Sequence, residues 1–361
     1  MTAGAAASMT TEWPECLVPR AEMPLALAKE IRAMVGRGPA LVNYLAHAPW
    51  VARTAARAIN GAPAYLSPSL AERIGLVVAQ DNSCRYCYGM QRSLLRIAGH
   101  SEADVDRIVR DSMVVDLSPA ERAAVDYARR LSRCSPRPSR ADFDRVVAAG
   151  LDRGAALETV LYVVEGCFMN RVSTLAALPP EPLEALTKSS YFRFLRPLMA
   201  RGFRKPMARP LPPPPSAGPF ADVVTALADS PWSHMVRATI DEALASPILP
   251  LRTKAMVIAV VARALDCPYG EREARALLAR EGFAEADVEE VLQTLSSPRL
   301  DAREARVVPF ARETIRYQTS AIQMRMREVA RELSPPEAME LIGVISLANG
   351  LCRLSVLVDS R

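Results

Sequence analysis

What restricts this chain most is that it repeats itself. Set against itself at an offset of 183 residues, it matches over a long stretch without a gap: Leu66 meets Leu249, Cys84 meets Cys267, Tyr86 meets Tyr269, and Gly99 meets Gly282. Leu94 and Leu95 meet Leu277 and Leu278, and GHSEADVDRIV maps onto GFAEADVEEVL. Farther on, Glu121, Ala128 and Arg129 meet Glu304, Ala311 and Arg312. After a one-residue slip, Leu151, Glu158 and Arg171 meet Leu333, Glu340 and Arg353. Upstream, HAPW at 47–50 answers DSPW at 229–232. Self-similarity at a fixed offset predicts a duplicated structural unit, and 361 residues are enough for two cores of ordinary size.

The unit should be helical. Half the residues are hydrophobic while aromatics are only 6%, and Ala, Leu, Val, Arg and Glu dominate, which suits packed helices better than a β-sandwich. Start and stop signals agree. Ser67 and Pro68 read as an N-cap followed by proline at the first helical position, with Leu70, Ile74, Val77 and Val78 on the apolar side. The next helix should begin at Ser83 or Cys84 and end near Gly99. Further starts fall at Ser101, Ser118 and Ser139, and ALETVLYVVEGCFMNRV reads as a buried final helix. Six or more helices per copy make a bundle.

Residues 205–218, KPMARPLPPPPSAG, predict an extended, semi-rigid connector, because proline fixes φ and lacks an amide donor. The expected organisation is a tail over 1–18, a first domain over 19–180, a basic then Pro-rich linker over 181–218, and a second domain over 219–361. Within 185–221 there is no acid, but Lys188, Arg193, Arg196, Arg201, Arg204, Lys205 and Arg209 alternate with Tyr191, Phe192 and Phe194. This reads as an amphipathic packing helix with its charges outward.

The net charge of +5 is spread over 45 basic and 40 acidic residues, which argues against a nucleic-acid partner. MTAGAAASMTTEWPEC lacks a basic segment followed by an apolar one, and MVIAVVARAL and LIGVISLANG are too short to span a bilayer. A cytoplasmic protein with no membrane partner is expected. Seven cysteines, an odd number, argue against a disulfide framework. Cys16, Cys134, Cys167, Cys267 and Cys352 read as isolated core thiols, leaving Cys84 and Cys87 as the one pair.

These two fall in the first turn of a helix, where unpaired amides and the positive dipole end favour thiolate, and a spacing of three puts both sulfurs on one face. Gln91 lies one turn beyond Cys87. Glu72 sits twelve residues before Cys84, on the preceding helix, where a helical hairpin could fold its carboxylate against the sulfurs as a proton acceptor or donor. The pattern of Glu72, eleven residues, Cys84-x-x-Cys87 and three further residues resembles the active-site signature of alkylhydroperoxidase D, within the carboxymuconolactone decarboxylase superfamily. The likeness covers nearly all of the first copy and, more weakly, the second.

That resemblance implies an all-α fold of two tandem alkylhydroperoxidase D-like bundles forming a pseudo-dimer, and a thiol-dependent peroxidase or disulfide oxidoreductase. It implies Cys87 as the peroxidatic and Cys84 as the resolving cysteine, although helix-end physics alone would make Cys84 the more acidic. It also implies a hydroperoxide or disulfide substrate, a lipoyl domain or small dithiol as reductant, no bound cofactor, and a homo-oligomer. One departure stands out: Gln91 occupies the family's histidine position and cannot titrate near neutral pH. A water held by Gln91 and Glu72, or the phenols of Tyr86 and Tyr88, would have to replace the relay. In the second copy Glu72, Cys87 and Gln91 are replaced by Ala255, Gly270 and Ala274, so Cys267 stands without its partners and reads as structural.

A zinc site would need two ligands beyond Cys84 and Cys87, and the three histidines do not supply them in sequence. His47 reads as a helix cap and His100 as a solvated turn residue. No glycine-rich nucleotide loop or GxSxG elbow is present. The alternatives to the redox enzyme are a non-catalytic helical interaction protein with a vestigial dithiol, and a carboxymuconolactone decarboxylase-like lyase, which does not need the cysteine pair.

Overall fold

The computed structural model describes residues 16–36, 40–61, 63–110, 117–202, 217–228 and 230–359. These form helices and no strand, so the chain is all-α. The first half contributes α1 (Leu25–Val35), α2 (Val42–Leu45), α3 (Pro49–Asn60), α4 (Pro68–Asp81), α5 (Arg85–Ala98) and α6 (Glu102–Arg110). It continues with α7 (Pro119–Arg133), α8 (Arg140–Ala148) and α9 (Arg153–Leu175), followed by α10 (Pro182–Lys188) and α11 (Phe192–Gly202). The second half contributes α12 (Ala221–Thr225), α13 (Ser233–Ala245), α14 (Leu251–Ala264), α15 (Pro268–Arg280), α16 (Glu285–Thr294), α17 (Glu304–Glu313), α18 (Thr319–Ala330) and α19 (Pro335–Leu354).

The caps explain where these helices begin. Ser67 accepts the Leu70 amide and Pro68 opens α4. Ser118 with Glu121 and Ser334 with Glu337 form reciprocal capping boxes on α7 and α19, and at α8 Asp142 Oδ2 accepts the Ser139 amide at 2.7 Å. Each such cap stabilises its helix by about 1 kcal/mol. At the end of α4 the chain reverses through Ser83, at φ 50°, and Cys84 N–H donates to Ala79 O at 3.0 Å. At the end of α14 it reverses through Asp266, at φ 49°, and Cys267 N–H donates to Ala262 O at 2.9 Å.

Two long helices fill the centre. Helix α9 and helix α19 are buried along most of their lengths and pack on each other, as helices apolar on every side must. Buried residues from both halves join in one continuous hydrophobic core, with a satellite of Leu76, Leu95, Val105 and Ile108 beneath α6. LIGVISLANG, short as a run of letters, lies in a longer apolar helix: Pro335–Leu357 is 23 residues, long enough to cross a bilayer, yet its apolar window is wholly buried inside the protein.

Contacts between the halves come in matched sets. Thr319 Oγ1 donates to Ser83 O at 3.2 Å, and Arg137 Nη1 reaches Asp266 O at 3.5 Å. Gln323 Nε2 donates to Thr174 O at 2.9 Å, and Arg140 Nη1 donates to Leu357 O at 2.8 Å. In each set the second contact uses positions 182 or 183 residues away from the first, with the two halves exchanging roles.

Three expectations need correcting. The basic segment does form a helix, α11, but Phe194 and Leu198 are 69% and 72% exposed, so its apolar side chains are not packed inward. His47 caps nothing: the N-cap of α3 is Ala48, and His47 Nε2 bonds Pro19 O at 2.9 Å. His100 is half-buried and bonded to Ser69 Oγ at 2.8 Å, so it is not a solvated turn residue. The tail over 1–15 and the Pro-rich stretch over 203–216 lie outside the described residues.

Candidate functional site

Helix α5 starts from Cys84, whose backbone is extended (φ −86°, ψ 101°) and whose Sγ accepts the Cys87 amide at 3.2 Å. Sulfur thus stands where an N-capping oxygen usually does, facing the unpaired amides of the first turn. Cys87, one turn in, presents its sulfur to the same side and reaches Ser173 Oγ of α9 at 3.9 Å. Both residues are buried, Cys87 at 8% and Cys84 at 1% exposed.

The environment separates the two thiols. Burial would raise Cys84, but the Cys87 thiol and amide, the Thr174 hydroxyl and the Tyr86 amide outweigh it and bring Cys84 below the ordinary cysteine range. Cys87 is pushed well above that range, first by burial and then by Cys84 itself, with the Glu165 carboxylate of α9 adding to the effect. Tyr317, from the segment between α17 and α18 in the second half, comes within interaction range of Thr174 and Cys84.

The other expected site residues are distributed unevenly. Glu72 is buried in α4, but it is not among the largest influences on either thiol; Glu165, unremarked in the sequence, is. Gln91 does turn towards α4, and its amide lies over Gly75, where a Cβ would come within 2.6 Å of Nε2. Only glycine admits that approach, and it brings Gln91 to the turn of α4 after Glu72. The Gln91 Oε1 atom is buried without a hydrogen-bond partner, so a water could be held there. Tyr86 already commits its proton, and Tyr88 is tied to its own helix. Tyr86 donates to Glu181 Oε1 at 3.0 Å, and its phenol is held well above its usual range by burial and by Glu181. Tyr88 accepts from Arg92 Nη1 at 3.3 Å.

The sequence misjudges Cys267, Cys352 and Cys134, which are not isolated. Cys267 Sγ caps α15 as Cys84 Sγ caps α5, accepting the Gly270 amide at 3.3 Å. The Cys352 thiol of α19 lies within hydrogen-bonding reach of it, and Cys134 is close enough to act on both through its charge. No spacing signal could reveal a pair whose members are 85 residues apart.

Residues 47–130 match the sequence model of the Carboxymuconolactone decarboxylase family, a stretch that holds Glu72, Cys84, Cys87 and Gln91. No curated protein and no solved structure matches the chain.

Proposed function

We propose that this chain is a thiol-dependent oxidoreductase that reduces a hydroperoxide, or exchanges a disulfide, through Cys84 and Cys87. The observation that carries the reading is two buried cysteines on the first turn of one helix, Cys84 Sγ accepting the Cys87 amide at 3.2 Å, in surroundings that lower Cys84 and raise Cys87. Lowering one thiol beside a second favours sulfenic acid formation at the first and condensation with its neighbour. The family match over this stretch supports it, because the matched family includes alkylhydroperoxidase-like members as well as decarboxylases.

The donors around Cys84 support giving it the attacking role, the reverse of the order the resemblance implies. Cys84 thiolate attacks one peroxide oxygen, the O–O bond breaks, and the alcohol or water leaves with a proton from solvent. The Cys87 thiol then attacks the sulfenic sulfur, the S–O bond breaks, and water leaves with the Cys87 proton. A lipoyl group or small dithiol would reduce the resulting disulfide. Gln91 with an ordered water would guide protons in place of a histidine.

We further propose that the halves are duplicated copies paired as a pseudo-dimer, divided near the linker over 181–218. The exchanged contacts support this, Thr319 to Ser83 against Arg137 to Asp266 and Gln323 to Thr174 against Arg140 to Leu357, because a two-fold interface uses each surface twice with roles reversed.

The test is to trap sulfenic acid with a dimedone probe in Cys87→Ser and in Cys84→Ser, after a slight excess of hydroperoxide. Rapid labelling of Cys84 in Cys87→Ser, with little at Cys87 in Cys84→Ser, is expected. Rapid labelling of Cys87 instead would restore the family order, and slow labelling of both would favour a scaffold with a vestigial dithiol.

A further inference from the structure

In the second half, the loss of Cys-x-x-Cys spacing leaves room for a different pair. Gly270 stands where Cys87 stands in the first half, and a Cβ built on it would lie 3.1 Å from Cys267 Sγ and 3.4 Å from Cys352 Sγ. Two sulfurs from different helices therefore border the space that the second cysteine side chain of the motif would need. The position on α9 corresponding to Cys352 is Asn170, which spends its amide on Val78 O. The second sulfur has thus moved from the turn of α15 to α19.

The surroundings are those of a working thiol. Cys267 Sγ accepts an amide at a helix start and lies 3.2 Å from Ser355 Oγ. Arg137 crosses from the first half to hold the site, donating to Ser355 Oγ and Asp359 and reaching Cys352 O at 3.4 Å. Its guanidinium charge favours thiolate on Cys267. Cys267 is itself part of the wall of a surface cleft of about 420 Å³, beside Arg263, Arg272 and Arg275. Both residues are buried, Cys267 and Cys352 each at 1% exposed, and Cys267 is the one that borders the cleft.

We infer that Cys267 and Cys352 form a second redox-active dithiol, independent of Cys84 and Cys87, which hydrogen peroxide entering through the Arg263–Arg275 cleft converts to a disulfide linking α15 to α19. The Cys267 thiolate attacks a peroxide oxygen, the O–O bond breaks, and hydroxide leaves as water with a proton from solvent. The Cys352 sulfur then attacks the sulfenic sulfur, the S–O bond breaks, and the hydroxyl departs as water with the Cys352 proton. Two thiols lose two electrons, and one peroxide becomes two waters. The pair joins the hairpin of the second half to the central helix α19, so its oxidation state is wired into the core rather than into a single turn.

The experiment uses the full chain as a Cys84→Ser/Cys87→Ser double variant, reduced, desalted and treated with a slight excess of hydrogen peroxide, alongside wild type. After quenching by alkylation, peptides are mapped without reduction by mass spectrometry. A cross-linked Cys267–Cys352 peptide is expected in both proteins, absent in Cys267→Ser. Cys352→Ser should leave a dimedone-reactive sulfenic acid at Cys267. Serine at 267 keeps an N-capping oxygen, and the wild-type arm gives the same readout should the double variant fold poorly. Cys267 and Cys352 both remaining fully alkylated, after an exposure that oxidises a small free thiol in the same tube, would overturn the inference. So would a cross-link from Cys267 to Cys134 in place of Cys352.

Discussion

The turn between α4 and α5 and the turn between α14 and α15 follow the same backbone path and differ in what surrounds the sulfur. In both, the residue before the cysteine takes a left-handed φ, 50° at Ser83 and 49° at Asp266, and the cysteine sulfur caps the next helix. In the first, the partner thiol comes from the same turn and the side chain from the other half is the Tyr317 phenol. In the second, the partner comes from α19 and the side chain from the other half is the Arg137 guanidinium. The comparison teaches that in each case the partner thiol lowers the capping cysteine most and the helix-start amide adds to it, while at Cys267 the Arg137 guanidinium from the first half contributes a charge as well.

The comparison can be broken first at the buried charges. Lys254 donates to Ala243 O at 2.7 Å and Ser246 O at 2.6 Å and pairs with the fully buried Glu340 at 3.5 Å, while its first-half counterpart is Ala71. Lys254→Ala should cost about 3–5 kcal/mol in chemical denaturation, because it removes the only cation paired with buried Glu340 among the described residues and leaves the Trp50 indole as the carboxylate's donor. A loss below about 1 kcal/mol would mean that the two halves are stabilised alike. Next, Cys84→Ser should slow peroxide oxidation of Cys87 by about 10²-fold or more, since burial and the Glu165 carboxylate still raise Cys87 once Cys84 is gone. In contrast, Cys267→Ser should leave formation of the Cys84–Cys87 bond within about twofold, as expected for separate sites. Stopped-quench alkylation of each variant measures both.

A third prediction concerns pH. The Cys352 thiol first, then the Arg137 charge, the Ser355 hydroxyl and the Gly270 amide hold Cys267 down at about 7 against burial, with Cys134, Asp359 and Arg353 also in the cluster and Arg263, Asp266, Glu271, Arg272, Arg275 and Glu285 around the cleft beside it. Only thiolate alkylates, so labelling of Cys267 by a small alkylating agent should rise through about pH 7 and disappear as pH falls below it. Cys352, pushed well above its ordinary range by Cys267 and by burial, should stay unlabelled there. A midpoint at the ordinary cysteine value would remove the contrast with an isolated thiol. The smallest effect is at the surface. Arg92 pairs with Glu102 and Asp106, and Arg275 pairs with the corresponding Glu285 and Glu289, with Glu271 in addition. Arg92→Ala should cost less than about 1 kcal/mol, and Arg275→Ala somewhat more; the reverse order in thermal melts would contradict the reading of Arg275 as the better-anchored copy.

Local features were legible in the sequence because they are local. Ser67, Ser118 and Ser139 announced their helices, Gly99 its stop, and Cys84 its helix start, since caps and turns are decided by residues within four positions of one another. What depends on tertiary approach was not legible. Glu165 is the carboxylate acting most on Cys87, and it lies on α9, the helix whose Ser173 meets that sulfur. Cys352 meets Cys267 only because α19 passes beside α15 where Gly270 has no side chain. The exposed Phe194 and Leu198 of α11 defeat the amphipathic reading for the same reason: pattern marks an apolar face but not whether anything covers it.

The account turns on whether Cys84 and Cys87 behave as one two-electron couple. Equilibrating the full-length protein across a series of reduced and oxidised lipoate buffers, then counting alkylated Cys84 and Cys87 by mass spectrometry, tests this directly. Both should lose their label together along a single two-electron curve. Labels that persist on both cysteines across the whole series, or that vanish from one alone, would contradict it.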